Sequence, residues 1–283
     1  MKDNINRYDK IEKDFEISEI KLYGTVSMVT NHFHDSYEIY YLLEGQRHFF
    51  VKDKVYDIKK GDLVFIDKNE IHKTFDAGAP FHQRILISFK KHYLNNILVE
   101  ANNYNLLECF HGNTYVLRLN TEDQNPIENL LSKMLSEDTN CINSSSIYLK
   151  IMLSELLILA GRLFQTTPNY HIETSNPIHK KISEIIFYIN KNYAENLTLE
   201  FLSKRFFIST YYLSRTFKKI TGLNLNQYVN TIRIKEAQKL LLSTSLNITN
   251  ISENVGYDSI THFGRVFKLI TGVSPLKYRK TLS

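Results

Sequence analysis

The sequence predicts an α+β multidomain protein with a β-rich front, a helical middle and an all-α carboxyl-terminal domain. Three observations carry this prediction. Short strand-like runs punctuated by glycines fill Lys21 to Phe89, a helical apolar stripe begins at Ile127, and one helix–turn–helix pattern occurs twice after Thr198. At 283 residues the chain is long enough for two domains that each bury a core.

The front of the chain is typical of an all-β barrel or sandwich, because several short strands follow one another without a long helix. Residues 1–18 are charged and are expected to form a loose lead-in. Asn125 and Pro126 predict the start of a first helix after the strands. A second helix, Ile147 to Phe164, is apolar around most of its circumference, so it must be buried, in part against a partner subunit.

The back of the chain contains an internal repeat at a spacing of 50 residues. Ser209 to Tyr228 lies over Ser259 to Tyr278, and eight of the twenty positions are identical. Gly256 predicts a tight turn before the second copy, whose helix is expected over residues 260–270. A long helix, Leu225 to Leu242, separates the copies as a rigid spacer. The pattern predicts two helix–turn–helix units held at a fixed separation.

The charge is distributed unevenly along the chain. From residue 176 onward the chain has 16 Lys and Arg and 6 Asp and Glu, whereas residues 1–175 have 19 Lys and Arg and 24 Asp and Glu. An acidic front and a basic back predict that only the back binds a polyanion. No secretory signal or membrane-spanning run is present, and Cys109 and Cys141 have no metal-binding spacing, so we expect a cytoplasmic protein with no membrane partner.

The end of the chain resembles the AraC/XylS family of bacterial transcription regulators. The residues that carry the resemblance are Ile251, Val255-Gly256-Tyr257, Ser259, Phe263, Arg265, Phe267-Lys268, Gly272, Ser274-Pro275 and Tyr278-Arg279. It implies a homodimer that binds double-stranded DNA and works with RNA polymerase, mostly as an activator and often of carbohydrate genes. Carried over position by position, it implies base contacts from Tyr211, Ser214, Arg215, Ile260, Thr261 and Arg265, and phosphate contacts from Lys218, Lys219, Arg233 and Lys268.

Two motifs in the front half resemble those of the cupin superfamily, which many such regulators use as a sensor. They read His32-x-His34-x3-Glu38-x6-Gly45 and Gly61-x5-Asp67-x-Asn69-x2-His72. Strand alternation places His32, His34, Glu38 and Tyr40 on one face, toward the lumen if the resemblance holds. These groups could line a filled barrel, bind a small organic effector such as a sugar, or hold a metal. We favour effector binding by His32, His34, Glu38, Tyr40 and His72, and we expect no metal or other cofactor.

The alternative function is a metal-dependent cupin enzyme with a helical appendage. It would use His32, His34, Glu38 and His72 as ligands, and it leaves the basic repeat without a purpose. We therefore predict a regulator without catalytic residues. Its predicted parts are a cupin-like effector-sensing domain (1–120), a helical dimerisation element (121–164), a linker (165–177) and a DNA-binding domain (178–283).

Overall fold

The computed structural model describes residues 14–24, 34–95, 97, 104–112, 115–140, 143–166 and 174–281. Its strands are β1 (Phe15–Tyr23), β2 (Tyr37–Glu44), β3 (Gln46–Val51), β4 (Lys54–Lys59), β5 (Asp62–Ile66), β6 (His72–Asp76), β7 (Phe81–Phe89) and β8 (Val116–Arg118). They form a five-stranded sheet in the order β1-β7-β2-β5-β8 and a three-stranded sheet in the order β4-β3-β6. All pairings among the described strands are antiparallel. The two sheets confirm the predicted β-rich front, which is here called the β domain.

The prediction of a loose lead-in over residues 1–18 is wrong for its last part. Strand β1 begins at Phe15, which pairs with Phe89 of β7, and Ile17 pairs with Ile87. Phe15 and Ile17 alternate with an exposed Glu16, so one apolar face of this short segment can be buried. Residues 1–13 lie outside the described residues.

Alternation along β2 buries the five-stranded sheet on both faces. Tyr37, Ile39 and Tyr41 pack in a core with the helices that cover this sheet. Tyr40 and Leu42 point the other way, into a second core between the two sheets. The space between the sheets is therefore filled largely by side chains.

The helices of the structure cover the sheets and form the whole carboxyl-terminal part. They are α1 (Glu108–His111), α2 (Thr121–Asn140), α3 (Ser145–Thr166), α4 (Pro177–Lys191), α5 (Leu199–Arg205), α6 (Thr210–Thr221), α7 (Leu225–Ser243), α8 (Ile248–Asn254), α9 (Ile260–Thr271) and α10 (Pro275–Thr281). Helices α2 and α3 pack on the five-stranded sheet through residues such as Leu131 and Leu156. No helix in the described ranges is both long enough and apolar enough to cross a membrane.

Helices α4 to α10, here called the helical domain, have two cores joined by α7. The first half of α7 contributes Tyr228 and Val229 to the core around α5 and α6. Its second half contributes Ile234, Ala237 and Leu241 to the core around α8 and α9. The long helix therefore links two units that each have a buried interior of their own.

The outer face of the three-stranded sheet packs directly against the helical domain. Phe50, Val55 and Phe75 belong to the same buried cluster as Ile182 of α4 and Phe217 of α6. The segment predicted as a linker takes part in this contact at its end, since Thr174 N donates to Val55 O at 2.9 Å. Residues 165 and 166 belong to α3, and 167–173 lie outside the described residues.

Candidate DNA-binding surface and effector site

The first helix–turn–helix unit consists of α5 and α6. The side chain of Ser209 caps α6 by accepting a hydrogen bond from Tyr212 N, and Leu213 and Phe217 bury one face of the helix. The opposite face carries Tyr211, which is 74% exposed, together with the exposed Ser214 and Arg215. The first three predicted base-contacting residues thus share an accessible helix face.

The second unit, α8 and α9, repeats this construction. Ser259 accepts from His262 N at the start of α9, and Phe263 and Phe267 bury the inner face. The predicted base-contacting residues of this unit, Ile260, Thr261 and Arg265, are exposed.

The repeat extends to the ends of α6 and α9, here called the recognition helices. Gly222 and Gly272 take left-handed conformations and close α6 and α9. Just before them, the hydroxyls of Thr221 and Thr271 donate to the carbonyls of Phe217 and Phe267, at 2.8 and 2.9 Å. The two units are therefore built alike in hydrogen bonding as well as in sequence.

The turns of the two units differ at one equivalent position. Upstream of α6 and α9 the two copies are offset by 49 residues, so Phe207 of the first unit lies over Gly256 of the second. Gly256 has a φ of 88° and Phe207 a φ of 52°. The Phe207 side chain is 94% exposed, so packing does not compensate for the left-handed backbone of a residue with a Cβ.

Replacing Phe207 with glycine is expected to raise the free energy of unfolding by about 1 kcal/mol, because the left-handed backbone is then unstrained. Equilibrium unfolding in urea measures this change. The matched control is Phe207→Ala, which removes the exposed ring but keeps the Cβ. Equal stabilisation by alanine and glycine would show that the ring, and not the backbone, is the source of the effect.

Three of the four predicted phosphate-contacting residues, Lys218, Lys219 and Lys268, are exposed. Arg233 is different. Its Nε and Nη2 donate to the carbonyls of Tyr193 and Glu195 at 2.7 and 2.9 Å, and its guanidinium lies 5.3 Å from the centre of the Tyr257 ring. Two of its five donors therefore tie the loop after α4 to α7, and the phosphate contact of Arg233 stays a prediction.

In the β domain, the structure brings together His34, Glu38 and His72. His34 Nε2 lies 2.8 Å from one carboxylate oxygen of Glu38, and His72 Nε2 lies 3.2 Å from the other. Each imidazole is oriented through Nδ1, which contacts the carbonyl of Ser36 or of Glu70. One nitrogen or oxygen of each residue lies within 4.8 Å of the others, so these three side chains could also hold a metal ion.

The two imidazoles determine the charge of Glu38. Burial alone would raise the pKa of this carboxyl, but hydrogen bonds and charges from His34 and His72 outweigh burial and lower the pKa well below its usual range. Glu38 is therefore ionised and acts as a hydrogen-bond acceptor.

Tyr40 lies two residues along the same strand and faces the same side as Glu38. Its hydroxyl is buried and has no hydrogen-bond partner among the described residues, and burial raises its pKa to about 12. His32, the remaining predicted effector-binding residue, lies outside the described residues.

Two family models match this chain. The model described as a helix-turn-helix domain matches residues 202–281, and the one described as an AraC-like ligand binding domain matches residues 23–138. The chain belongs to the AraC-type family of transcription regulators.

Several relatives resemble this AraC-type regulator over most of its length. The Msm operon regulatory protein of Streptococcus mutans is 27% identical over 88% of this chain and 85% of its own. The transcriptional activator RhaR of Mannheimia succiniciproducens is 24% identical over 88% of this chain and 86% of its own. Among solved structures, an apo variant of ToxT from Vibrio cholerae is 17% identical, with 96% and 99% of the two chains covered and a TM-score of 0.40. The domains and relatives are those of regulators, which rules against the enzyme alternative.

In this AraC-type regulator, one loop links the His34–Glu38–His72 cluster to the helical domain. Asn69 N donates to His34 O at 2.9 Å, and Glu70 O lies 2.9 Å from His72 Nδ1. The side chain of Glu70 accepts a hydrogen bond of 2.6 Å from Lys235 of α7. Two polar contacts therefore lie between His72 and the spacer helix.

Two further contacts join the domains directly. Lys73 of β6 donates to the carbonyl of Lys219 near the end of α6, and the buried Tyr228 hydroxyl of α7 donates to the carbonyl of Lys52. Sequence reasoning missed Glu70, Lys73 and Lys235, because their partners are 146 or more residues away along the chain and no local pattern marks them.

Proposed function

We propose that this regulator is a dimeric, effector-responsive activator that binds two adjacent segments of the DNA major groove. One observation carries the proposal. The recognition helices α6 and α9 each bury one face in a core of their own, and the two cores lie at opposite ends of α7. The other face is exposed and carries Arg215 with Ser214 on α6, and Arg265 with Thr261 on α9. With 19 residues, α7 is about 28 Å long, which suits recognition of major-groove segments about one helical turn apart.

The base contacts we propose are those of Tyr211, Ser214, Arg215, Ile260, Thr261 and Arg265. Their exposure and placement on two capped helices support this assignment. Lys218, Lys219 and Lys268 are proposed to contact phosphates, which contribute affinity without sequence information.

A mobility-shift experiment tests the DNA-binding part of the proposal. The purified chain is titrated against the DNA upstream of its own gene and against random DNA of equal length, at two salt concentrations. We expect the upstream DNA to bind more tightly than the random DNA at both salt concentrations. The difference in affinity should persist at the higher concentration, where salt weakens the phosphate contacts. Equal affinity for both DNAs at each salt concentration would contradict sequence-specific recognition of this site.

The effector we propose is a small polar molecule with several hydroxyls, of which a sugar is the best-fitting class. The ionised Glu38 accepts hydrogen bonds, the imidazoles of His34 and His72 direct Nε2 toward it, and the buried Tyr40 hydroxyl, which can donate and accept, lacks a partner in the described structure. A sugar hydroxyl both donates and accepts, so it matches such a set. His32 is included by its place in the motif.

Replacing Glu38 with glutamine is expected to abolish the change in DNA affinity that the effector causes, because the charged acceptor between the two imidazoles is lost. Binding of DNA without effector should stay within about twofold of wild type, since Glu38 lies in the β domain and the recognition faces lie in the helical domain. Mobility shifts with a panel of pentoses, hexoses and disaccharides at millimolar concentration measure both quantities. Glu44→Gln, on an exposed position of the same strand, is the matched control. A full sugar response in the Glu38 variant would refute the site.

The effector signal is proposed to reach the DNA-binding units through Glu70. Occupancy that shifts His72 also shifts the carbonyl and side chain of Glu70, and with them its ion pair to Lys235 of α7. A coupling free energy of about 1–3 kcal/mol is typical of such linked sites. This pathway is supported by direct contacts at each step.

Dimerisation is proposed to use the outer stripe of α3. Ile147 and Ile151 are 65% and 53% exposed and lie one turn apart, with Tyr148 between them. Replacing Ile151 with aspartate is expected to weaken the dimer at least tenfold, because a charge would be buried in the interface. Sedimentation equilibrium measures the change, and Leu276→Asp, at an exposed leucine of α10, is the control. Dimers of unchanged affinity in the Ile151 variant would place the interface elsewhere.

Activation through RNA polymerase is the last part of the proposal, and it is supported by the family and by a relative named as an activator. Transcription in vitro from the upstream DNA, with and without the chain, tests it. A rise in transcript is expected, and a fall would identify a repressor.

A further inference from the structure

A second cluster of metal-ligating residues lies between the two domains, away from the proposed effector site. His48 on β3 and Asp57 on β4 are directly paired across the three-stranded sheet, and His48 Nδ1 lies 2.7 Å from Asp57 Oδ1. His179, in the first turn of α4, packs edge-on against His48 with ring centres 4.7 Å apart. The β domain thus supplies two of these side chains and the helical domain supplies the third.

The surroundings hold all three side chains in place. His179 is buried, and its Nδ1 lies 3.3 Å from the hydroxyl of Thr174, which directs Nε2 away from Thr174. Asp57 Oδ2 accepts from Ser175 N at 3.3 Å. Phe75 contacts both imidazoles, tilted against His48 and edge-on to His179, with ring centres 5.0 and 5.5 Å away. Secondary contacts of this kind are typical of ordered metal ligands.

The donor set matches a divalent transition metal. Two imidazoles and one carboxylate are ligands that Zn²⁺ accepts, with water in the fourth position. One donor atom from each residue lies within 4.8 Å of the others. A tetrahedral Zn²⁺ site holds its donors about 3.3 Å apart, so binding would draw these three donor atoms closer together. The side chain of Asp57 is 41% exposed, so an ion and its water can enter from solvent.

We propose that His48, Asp57 and His179 bind one divalent transition-metal ion, with Zn²⁺ as the best fit, and that this ion fastens α4 to the three-stranded sheet. The ligands come from both domains, so occupancy stabilises their packed arrangement. The cluster shares no residue with His34, Glu38 and His72, and it does not depend on the effector proposal.

Metal binding to the tag-free full-length chain tests this assignment. We expect wild type to take up one more equivalent of Zn²⁺ at neutral pH than either His179→Gln or Asp57→Asn. At a hundredfold excess over Kd, Zn²⁺ should raise the Tm of wild type by about 5–10 °C, and this shift should be lost in both variants. Co²⁺ should give the visible absorption of a low-coordinate site in wild type only.

Two further variants keep the test decisive. His72→Gln removes a ligand of the other cluster and should retain the interdomain equivalent of Zn²⁺. His48→Gln takes the place of His179→Gln if the latter does not fold, and Asp57→Asn changes a partly exposed side chain with little cost to folding. Zn²⁺ uptake that is equal in wild type, His48→Gln and Asp57→Asn, or that is lost only in His72→Gln, would overturn the proposal.

Discussion

Replacing Gly256 with alanine is expected to lower the free energy of unfolding by about 3 kcal/mol or more. The residue has a φ of 88°, a conformation that costs an L-residue with a Cβ about 1–2 kcal/mol. An added Cβ would also lie 2.4 Å from Ala194 O and 2.7 Å from Ala194 Cα, in the loop after α4. Both obstructing atoms belong to the backbone, so relief requires the loop and the turn to move apart.

The consequence should reach DNA binding, because Gly256 connects α8 to α9. Urea unfolding and mobility shifts on the same preparation measure stability and affinity. Gly264→Ala is the control for stability, since nothing lies within 4 Å of its added Cβ and it is within a helix, where alanine is favoured by about 1 kcal/mol. If the two alanine variants were equally stable, close packing at Ala194 would not be the reason for glycine at position 256.

The helix–turn–helix repeat could be predicted from sequence because the features that form it are local. The caps Ser209 and Ser259, the closing glycines and the apolar spacing of Phe263 and Phe267 all act within one or two helical turns. The prediction of α9 over 260–270 differs from the structure by one residue. Strand alternation is equally local, and it places Tyr40 and Leu42 on the opposite face of β2 from Ile39 and Tyr41.

The start of the first long helix was predicted wrongly, because a different residue provides the amino-terminal cap. Asn125 and Pro126 predict a helix start, yet α2 begins at Thr121 with Pro126 inside it. Asn120 provides the cap instead, accepting from Asp123 N at 2.8 Å. Pro126 is the sixth residue of α2, so it removes the hydrogen bond that an N–H at this position would donate to the carbonyl of Glu122.

The contact between the domains could not be predicted, because it depends on which surfaces meet. Arg233 was predicted to contact phosphate, and the fold in addition places two backbone carbonyls within reach of its guanidinium. His179 is an ordinary helix residue in the sequence and becomes a neighbour of His48 only through packing of α4 on the sheet. Charge and residue type set what such side chains can do, and tertiary contacts decide what they do.

Replacing Arg215 with alanine is expected to reduce affinity for the upstream DNA about 10- to 100-fold while leaving affinity for random DNA nearly unchanged. A guanidinium can donate two hydrogen bonds to O6 and N7 of guanine, which discriminates between bases by about 1–3 kcal/mol. Arg215 is exposed on the same face of α6 as Tyr211 and Ser214. Its loss should therefore relax specificity at one position of the site.

Lys219→Ala, on the same helix, is the matched comparison. A phosphate contact is lost from every sequence alike, so the affinities for both DNAs should fall by a similar factor. The slope of log affinity against log salt concentration should decrease in magnitude by about one. Its backbone carbonyl still accepts the hydrogen bond from Lys73, so the contact between β6 and α6 is retained. Titrations of both variants against both DNAs at several salt concentrations separate the two roles. If Arg215→Ala weakened random and upstream DNA equally, Arg215 would contact phosphate, and the base-reading face of α6 would have to lie elsewhere on the helix.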